Sequence, residues 1–333
     1  MTSQPAPSLR SPFRPTRRSI LAGAGGLAAL AALAACGDSG GGTAGPQNAD
    51  GPTRQIQGAA GPVDIPANPQ RIACVDFYTT YALLDVGVTP VATAQATVGG
   101  VFAPYQQTYD AIPKVGQPTS VNVEALAAAT PDLILGTKVP TMQPGLEEQL
   151  TRIAPTVMFD AGTEPGTWKQ RALATADAVN RLAAGQQVAA EYDQHAARIK
   201  AQFAPTIGRT TWGLVRGSSG GAFFTDFPTS WSGVVLADAG LRFGRAAAGR
   251  TGAGQRLSYE QASQLDDCDV LLYLADAQGQ VEANTRALLA QPAFAQLRAV
   301  REGRAFPLPN YYATHYRQGD AVLTTIEQLL PRL

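Results

Sequence analysis

The sequence predicts an α/β fold in which two Rossmann-like lobes are joined by one long spacer helix. Short apolar runs alternate with helical stretches from residue 63 to 160, a second series of the same kind starts at residue 211, and residues 166–203 between them carry no strand signal. Alternating strands and helices specify a mainly parallel sheet with helices on its faces. Because open α/β sheets bind ligands at the carboxyl ends of their strands, two such lobes predict a ligand cleft between them.

The first 35 residues have the composition of a signal peptide. They contain four arginines and no acidic residue, and an unbroken run of apolar and small residues extends from 20 to 35. This run is shorter than the roughly 20 residues that a membrane-spanning helix needs, so it predicts export and not a permanent anchor. Thr16-Arg17-Arg18-Ser19-Ile20-Leu21 matches a twin-arginine export signal. Leu33-Ala34-Ala35-Cys36 matches a bacterial lipobox, which makes Cys36 the predicted site of lipidation.

Residues 36–55 are rich in glycine and polar residues, a composition that buries little surface and predicts a flexible tether. Loss of the four arginines of residues 1–35 leaves 22 basic and 26 acidic residues, a net charge of −4. This balance gives no basic surface for a nucleic acid. Cys74 and Cys268 lie in apolar segments and are predicted to be buried free thiols.

Residues 56–165 are predicted to form the N-terminal lobe. Its predicted strands are 71–75, 88–94, 133–136 and 156–160, and its predicted helices are 78–86, 123–129 and 144–153. Connecting and spacer helices are predicted over residues 166–204. The spacer carries apolar residues at spacings of three and four, as an amphipathic helix requires: Val188, Tyr192, His195, Ile199 and Phe203.

Two residues of this connecting segment have specific expectations. Gly185 is predicted to separate the spacer from the helix before it. His195 falls on the apolar stripe, where a hydrogen-bonded structural histidine is a better interpretation than a ligand-binding one.

Residues 205–333 are predicted to form the C-terminal lobe. Its predicted strands are 211–216, 269–275 and 305–308, and its predicted helices are 232–239, 258–265, 285–290, 292–300 and one from 319 onward. The Gly- and Ala-rich segment 242–256, which contains four arginines, is predicted to be a solvated loop. The two lobes also share a detail: Glu124 and Glu260 precede, by eight and nine residues, the Asp-Leu-Ile-Leu and Asp-Val-Leu-Leu strand starts.

Three segments, taken in this order, resemble one known family. They are Ile65-Pro66-Ala67-Asn68-Pro69-Gln70-Arg71-Ile72, Val123-Glu124-Ala125-Leu126 with Pro131-Asp132-Leu133-Ile134, and Ser258-Tyr259-Glu260-Gln261. From about residue 65 to the end the chain is similar to the substrate-binding proteins of ABC importers for iron–siderophores, haem and cobalamin.

The resemblance implies an extracytoplasmic lipoprotein, monomeric and not an enzyme, that captures a ferric siderophore for separate permease and ATPase subunits. Iron would arrive within the ligand, so no cofactor of the protein itself is expected. Glu124 and Glu260 match the family positions that dock onto arginines of the permease, and a carboxylate can accept paired hydrogen bonds from an arginine. The alternative for each glutamate is a favourable position in the first turn of a helix.

Residues that follow strands are the candidates for ligand contact, since aromatic rings supply an apolar wall and cations attract an anionic ligand. They are Phe77, Tyr78, Lys138, Arg216, Phe223, Phe224, Trp231, Tyr311 and Tyr312. For each aromatic residue taken singly, ordinary core packing is the competing interpretation.

Two other chemistries are open to this sequence. Gly217-Ser218-Ser219-Gly220-Gly221 matches a hydrolase nucleophile motif, with Asp269 and His315 downstream, but such an elbow must open directly into a helix and residues 222–228 do not resemble a helix start.

Direct binding of ferric ion by Tyr311, Tyr312 and His315 is the second alternative, and haem or cobalamin could replace the siderophore. A zinc or manganese site is not expected, because the chain has two histidines that are far apart.

Overall fold

A computed structural model of the chain describes residues 51–97, 100–276 and 278–333. The predicted signal peptide, Cys36 and most of the predicted tether lie outside the described residues. The predicted α/β class with parallel sheets and a long helix is confirmed. None of the helices within these ranges is both long enough and apolar enough to span a bilayer.

The strands of the described ranges are, in chain order, β1 Thr53–Gly58, β2 Gly61–Pro66, β3 Ile72–Cys74, β4 Ala92–Thr93, β5 Gly116–Gln117, β6 Ser120–Val121, β7 Leu133–Lys138, β8 Thr156–Asp160, β9 Thr211–Ser218, β10 Ala222–Asp226, β11 Arg242–Phe243, β12 Gly254–Ser258, β13 Val270–Leu274 and β14 Ala305–Leu308.

The α-helices are α1 Phe77–Asp85, α2 Gln106–Ala111, α3 Val123–Ala128, α4 Leu146–Thr151, α5 Trp168–Ala178, α6 Leu182–Gln202, α7 Ala204–Arg209, α8 Gly233–Asp238, α9 Ala283–Leu289, α10 Pro292–Ala295, α11 Arg298–Arg301 and α12 Tyr316–Leu329. Short 3-10 helices are formed by Ala103–Tyr105, Pro165–Thr167, Tyr259–Leu265 and Leu330–Arg332.

The first sheet has the strand order β4-β3-β7-β8 and is parallel throughout. After β3, the Asp76 side chain accepts a hydrogen bond from the Thr79 backbone N–H and caps α1. This cap fixes the first turn of α1, and with it Tyr78, at the carboxyl end of the sheet. The predicted lobe begins at residue 56, whereas β1 begins at Thr53 and pairs with β2 as a separate antiparallel hairpin.

The second sheet has the order β12-β10-β9-β13-β14, with β11 beside β9. Strands β11, β9, β13 and β14 are parallel, while β10 and β12 add two antiparallel strands. The segment 242–256, predicted to be a solvated loop, contains β11 and the start of β12 at its two ends, while residues 248–251 between them are exposed. Ala246 and Ala247 are buried there, and Gly254 adopts a φ of +152°, which lets β12 start directly against Asp226.

Two helices connect the sheets, as predicted, but the break between them lies earlier than Gly185. It falls at residues 179–181, where Asn180 adopts a left-handed φ of 58°. Gly185 lies in the first turn of α6, and a Cβ atom there would stand 3.0 Å from the Cβ of Ala176 on α5. This glycine therefore allows close packing of α5 on α6, which at 21 residues is about 30 Å long.

His195 on α6 is a structural residue, as predicted. Its Nδ1–H donates to Asp320 on α12 at 2.7 Å, its Nε2 lies 3.3 Å from Glu327, and the residue is 8% exposed. These bonds hold α6 against α12. The largest apolar core joins α5 and α6 to the second sheet around Trp168, Tyr192 and Trp212.

Candidate ligand-binding cleft

A cavity of about 190 Å³ lies between the two halves of the chain at the carboxyl ends of the first sheet. Tyr78 and Arg171 line it on one side, and Trp231 and Ala253 line it on the other. It adjoins a recess of about 820 Å³ over α4, since both are lined by Val139 and residues 161–163. Together they form a cleft in the position that the α/β topology predicts.

Arg171 is the cleft residue that sequence reasoning missed. It lies on the buried face of α5, three residues after Trp168, and is only 8% exposed. Its guanidinium carbon stands 4.9 Å from the ring centroid of Tyr78. Burial lowers the pKa of Arg171, and the nearby Asp76 carboxylate opposes this effect. A charged residue at an apolar-stripe position was the signal available in the sequence.

The Arg171 side chain lines the cavity, where its guanidinium contacts the Tyr78 ring. Two polar atoms nearby, Oγ1 of Thr137 and Oδ2 of Asp76, are buried without a hydrogen-bond partner among the described residues. Buried polar groups are normally satisfied, so an unpaired group of this kind indicates a place where a ligand or water binds.

Arg216 supplies a second cation from the other half. Its Nε–H donates to both carboxylate oxygens of Asp226 at 3.1 Å, and its guanidinium carbon lies 4.0 Å from the Phe224 ring centroid. The register of β9 and β10 explains this arrangement: Arg216 pairs with Phe224, and Asp226 lies two residues further on the same face. Because Nε carries the contact with Asp226, the terminal nitrogens of Arg216 are left for another partner.

Asp226 itself is fully buried. Burial raises its pKa to about 6, and the charge and hydrogen bond of Arg216 act in the opposite direction. A Cβ atom at Gly254 would stand 2.6 Å from its Oδ1, so the glycine leaves space for this carboxylate.

Aromatic rings connect Arg216 to the cavity. The guanidinium carbon of Arg216 lies 5.8 Å from the ring centroid of Trp231, and Trp231 makes an edge-to-face contact with Tyr312 at 5.0 Å between centroids. The Trp168 indole N–H donates to the Trp231 carbonyl at 3.2 Å and holds this loop in place. Trp231 thus lines the cleft, and Arg216 and Tyr312 adjoin its ring.

The structure separates the predicted contact residues into two groups. Tyr78 and Trp231 line the cavity. Lys138 lies at the rim of the larger recess, in an ion pair with Glu147 at 3.1 Å. Three more adjoin Trp231: Arg216, Phe224 and Tyr312. The remaining three are core residues, with exposed fractions of 3%, 0% and 1%: Phe77, Phe223 and Tyr311. Their rings are covered by neighbouring elements, so they support the wall from behind and do not face the cavity.

The structure does not assemble the hydrolase triad. Ser219 lies in the turn of the β9–β10 hairpin, so no helix follows it. Asp269 precedes β13 and accepts a hydrogen bond from the Thr211 N–H at 2.8 Å, at the opposite end of β9. His315 is bonded to Asp85 instead.

The geometry does not match direct coordination of a ferric ion by Tyr311, Tyr312 and His315 either. The Nδ1–H of His315 donates to the Asp85 carboxylate at 2.8 Å, and the ring is fully buried among Tyr81, Phe102 and Tyr105. Burial raises the pKa of Tyr312 to about 12 and raises that of Tyr311 well above its ordinary value. Within the ranges that the structure describes, no group of three His, Cys, Asp or Glu residues is placed to hold a metal ion.

Glu124 and Glu260 occupy equivalent local positions in the two halves. Each is exposed in the first turn of a short helix, after the cap residues Asn122 and Ser258 respectively. Hydrogen bonds to the Ser258 side chain and to the backbone lower the pKa of Glu260. Both carboxylates are accessible to a partner.

Comparison with known proteins matches residues 72–312 to the family described as "Periplasmic binding protein". Over 194 residues the chain is 35% identical to "Probable siderophore-binding lipoprotein YfiY" of Bacillus subtilis, a match that spans 57% of the chain and 57% of that relative's length. It is 23% identical over 243 residues to the "Achromobactin-binding periplasmic protein" of Dickeya dadantii, covering 72% of the chain and 78% of that protein.

Among solved structures, the siderophore periplasmic binding protein from the fuscachelin gene cluster of Thermobifida fusca superposes with a TM-score of 0.70 at 31% identity. The superposition covers 81% of this chain and 99% of that one. The matched region includes both sheets and the helices between them. The chain therefore belongs to the periplasmic binding protein family, a family of solute-binding proteins.

Proposed function

We propose that this protein captures a ferric siderophore in the cleft between its two halves and delivers it to an ABC importer. The observation that carries the proposal is the cavity lined by Arg171 on one wall and by Trp231 on the other, with the Arg216 guanidinium carbon 5.8 Å from the Trp231 ring centroid. A ferric siderophore already carries its metal, so its receptor needs shape, stacking surface and a few charged donors. The relatives named above are described as siderophore-binding or achromobactin-binding proteins, which supports the same ligand class.

The two arginines favour a chelate with negative charge. A guanidinium presents several N–H donors in a planar fork that suits carboxylate and catecholate oxygens. Arg171 is 8% exposed and lines the cavity, and Arg216 bonds to Asp226 through Nε–H and not through its terminal nitrogens. In this proposal Tyr78, Trp231 and Tyr312 stack on the apolar parts of the chelate, Phe224 supports Arg216, and Lys138 attracts the ligand at the rim.

A titration of residues 51–333 by intrinsic fluorescence tests the proposal. The chain has three tryptophans; Trp168 and Trp212 are fully buried and Trp231 lines the cavity, so quenching reports mainly on the cleft. The probes are ferric citrate, the ferric tris-catecholate of 2,3-dihydroxybenzoate, ferric desferrioxamine, haemin and cobalamin. Saturable quenching by a ferric chelate supports the proposal, whereas a response to haemin or cobalamin alone refutes it.

The variant Trp231→Phe is the control for the origin of the signal. It keeps an aromatic ring in the wall, so calorimetry should still detect binding while most of the quenching disappears. Quenching that persists in this variant would place the ligand away from the cleft.

Glu124 and Glu260 are the proposed docking points for the permease, one in each half. Their exposure and their equivalent positions after helix caps support this role. Charge reversal at both should abolish uptake of the chelate by cells and leave its binding in solution unchanged. Asp193→Arg, which alters an exposed carboxylate on α6, is the matched control. Full uptake by the Glu124→Arg, Glu260→Arg double variant would refute the docking role.

The same proposal includes a lipid anchor at Cys36 on the outer face of the cytoplasmic membrane and a monomeric body. Support comes from the lipobox sequence and from the lipoprotein description of the Bacillus subtilis relative. Cys36→Ser should release the protein from the membrane fraction and prevent labelling by a radioactive fatty acid. Labelling of the variant would refute lipidation at this residue.

A further inference from the structure

Asp226 is a buried carboxylate that the capture of a ligand does not by itself require. It is 0% exposed and it bonds to Arg216 through Nε–H, so these hydrogen bonds do not use the terminal nitrogens of Arg216. Gly254 leaves the space that the carboxylate occupies. The desolvation cost of a buried ion pair offsets its attraction, so a contribution to stability does not explain this pair beside the cleft. A functional role is the better explanation.

We propose that Asp226 orients Arg216 towards the cleft and takes up a proton when an anionic ferric chelate binds. The inference rests on the proposed function and deepens it, since it specifies an anionic ligand and couples its capture to protonation. Asp226 is a positioning residue in this account, because it acts on the ligand through Arg216.

The orienting role follows from the strand register. Arg216 and Phe224 are cross-strand partners, and Asp226 is the next residue on the same face of β10. The Phe224 ring lies against one side of the guanidinium, and the carboxylate fixes its Nε edge. These two contacts leave the Arg216 side chain few free rotations. Binding of an anion therefore costs it little conformational entropy.

The proton uptake follows from the charges that face Asp226. They are the Arg216 cation on β9 and the phenols of Tyr311 and Tyr312 after β14, while β12 contributes only the backbone at Gly254. Among the described residues Arg216 is the cation that opposes the burial of this carboxylate, and the pKa of Asp226 is about 6. An anion placed on Arg216 adds negative charge close to Asp226 and disfavours its ionised form.

Protonation of Asp226 need not release Arg216. A neutral carboxyl group keeps a carbonyl oxygen, which can still accept the Nε–H hydrogen bond. The cation then faces the ligand without a competing carboxylate. Binding and protonation therefore strengthen each other, and the affinity for an anionic chelate should rise as the pH falls from 8 to 6.

Calorimetric titration of residues 51–333 in two buffers of different ionisation enthalpy tests this inference. The probes are ferric citrate and the ferric tris-catecholate of 2,3-dihydroxybenzoate. For the chelate that binds, the wild type should take up about half a proton near pH 7 and lose about tenfold in affinity between pH 6 and pH 8. Asp226→Asn, which mimics the protonated carboxyl, should show neither effect and should bind at pH 8 at least as tightly as the wild type.

Two controls make the outcome specific. Asp269→Asn alters a different Asp–Arg pair, with Arg298 at 2.6 Å, and should keep the wild-type proton uptake. Protons taken up by the chelate itself contribute equally to the wild type and to every variant, because all of them bind the same chelate. They therefore cancel in the comparison. Arg216→Gln should lose affinity at every pH.

The inference is overturned if Asp226→Asn shows the wild-type uptake, if it loses affinity as Arg216→Gln does, or if the wild type binds ferric desferrioxamine alone. In these three cases a ferric chelate is still captured, so the proposed function survives. If no chelate of the panel binds the wild type, the proposed function itself fails.

Discussion

The Nδ1–H of His315 donates to Oδ1 of Asp85 at 2.8 Å, and this bond joins residues 230 positions apart. The His315 side chain is fully buried and that of Asp85 is 4% exposed. The Tyr105 hydroxyl donates to the same oxygen at 2.6 Å, and the Arg317 backbone N–H lies 3.3 Å from Oδ2. The end of α1 is thereby fixed to the start of α12, so the contact joins the first half of the chain to the second.

Asp85→Ala should lower the free energy of unfolding by about 3 kcal/mol, since it leaves a buried imidazole and a phenol without their acceptor. Urea denaturation followed by circular dichroism measures this change. The matched control is Asp320→Ala, which removes the partner of His195. The Asp320 side chain is 45% exposed, so its loss should cost about 0–1 kcal/mol. Equal losses in the two variants would contradict the structural role of the Asp85 contact.

Gly217→Ala should destabilise the protein by about 2 kcal/mol or more, because the new Cβ would stand 2.1 Å from the Asn284 backbone and would displace α9. Gly208→Ala is the control, since nothing lies within 4 Å of its Cβ position in α7. It should stabilise by up to about 1 kcal/mol through helix propensity. Thermal denaturation of both variants checks the pair, and a neutral Gly217→Ala would show that α9 is not packed on β9.

Arg171→Gln should weaken binding of an anionic ferric chelate by about 10- to 100-fold, which corresponds to about 1.4–2.8 kcal/mol. Its effect on unfolding should be small or favourable, because the change removes the cost of burying a cation. Calorimetry gives the affinity, and Arg198→Gln, at an exposed position on α6, is the control. Unchanged affinity in Arg171→Gln would remove this residue from the site.

The stability of the protein should depend on pH through Asp226. In the folded state its pKa is about 6, against an ordinary value of 3.8, so the folded protein takes up this proton first as the pH falls. The contribution of Asp226 to the free energy of unfolding therefore rises as the pH falls from above 6 to about 4, and it is constant outside that window.

Asp226→Asn should accordingly be more stable than the wild type at pH 8 by about 1–3 kcal/mol, with no gain at pH 4. Urea denaturation at both values measures the difference. A variant that is less stable than the wild type at pH 8 would show that the ion pair with Arg216 stabilises the fold.

The sequence predicted most accurately those elements that consist of a short apolar run between turn residues. The strands predicted at 156–160 and 305–308 have the observed bounds: the first is buried over four of its five residues, and the second is a short, mostly half-buried apolar run at the edge of its sheet. The two sheets and the connecting helices followed from such runs.

Other elements depend on contacts that a linear pattern does not contain. Strand β12 begins at Gly254, and a glycine is needed there because Asp226 lies too close for a Cβ atom. The helix break at Asn180 requires a left-handed backbone conformation, and no glycine in the sequence marks it. The site was predicted where residues follow strands, as for Tyr78 and Trp231, and was missed at Arg171 because this residue lies within a helix.

The central claim is that iron reaches the cleft already chelated. Size-exclusion chromatography of residues 51–333 with an excess of the chelate that binds, followed by assay of iron and chelator and by an absorption spectrum, tests it most directly. We expect the protein peak to contain one iron atom per protein molecule, with the chelator in the same ratio to iron as in the free chelate and with the absorption band of the free chelate retained. Bound iron without chelator, with a new phenolate-to-iron band that Tyr312→Phe abolishes, would contradict it.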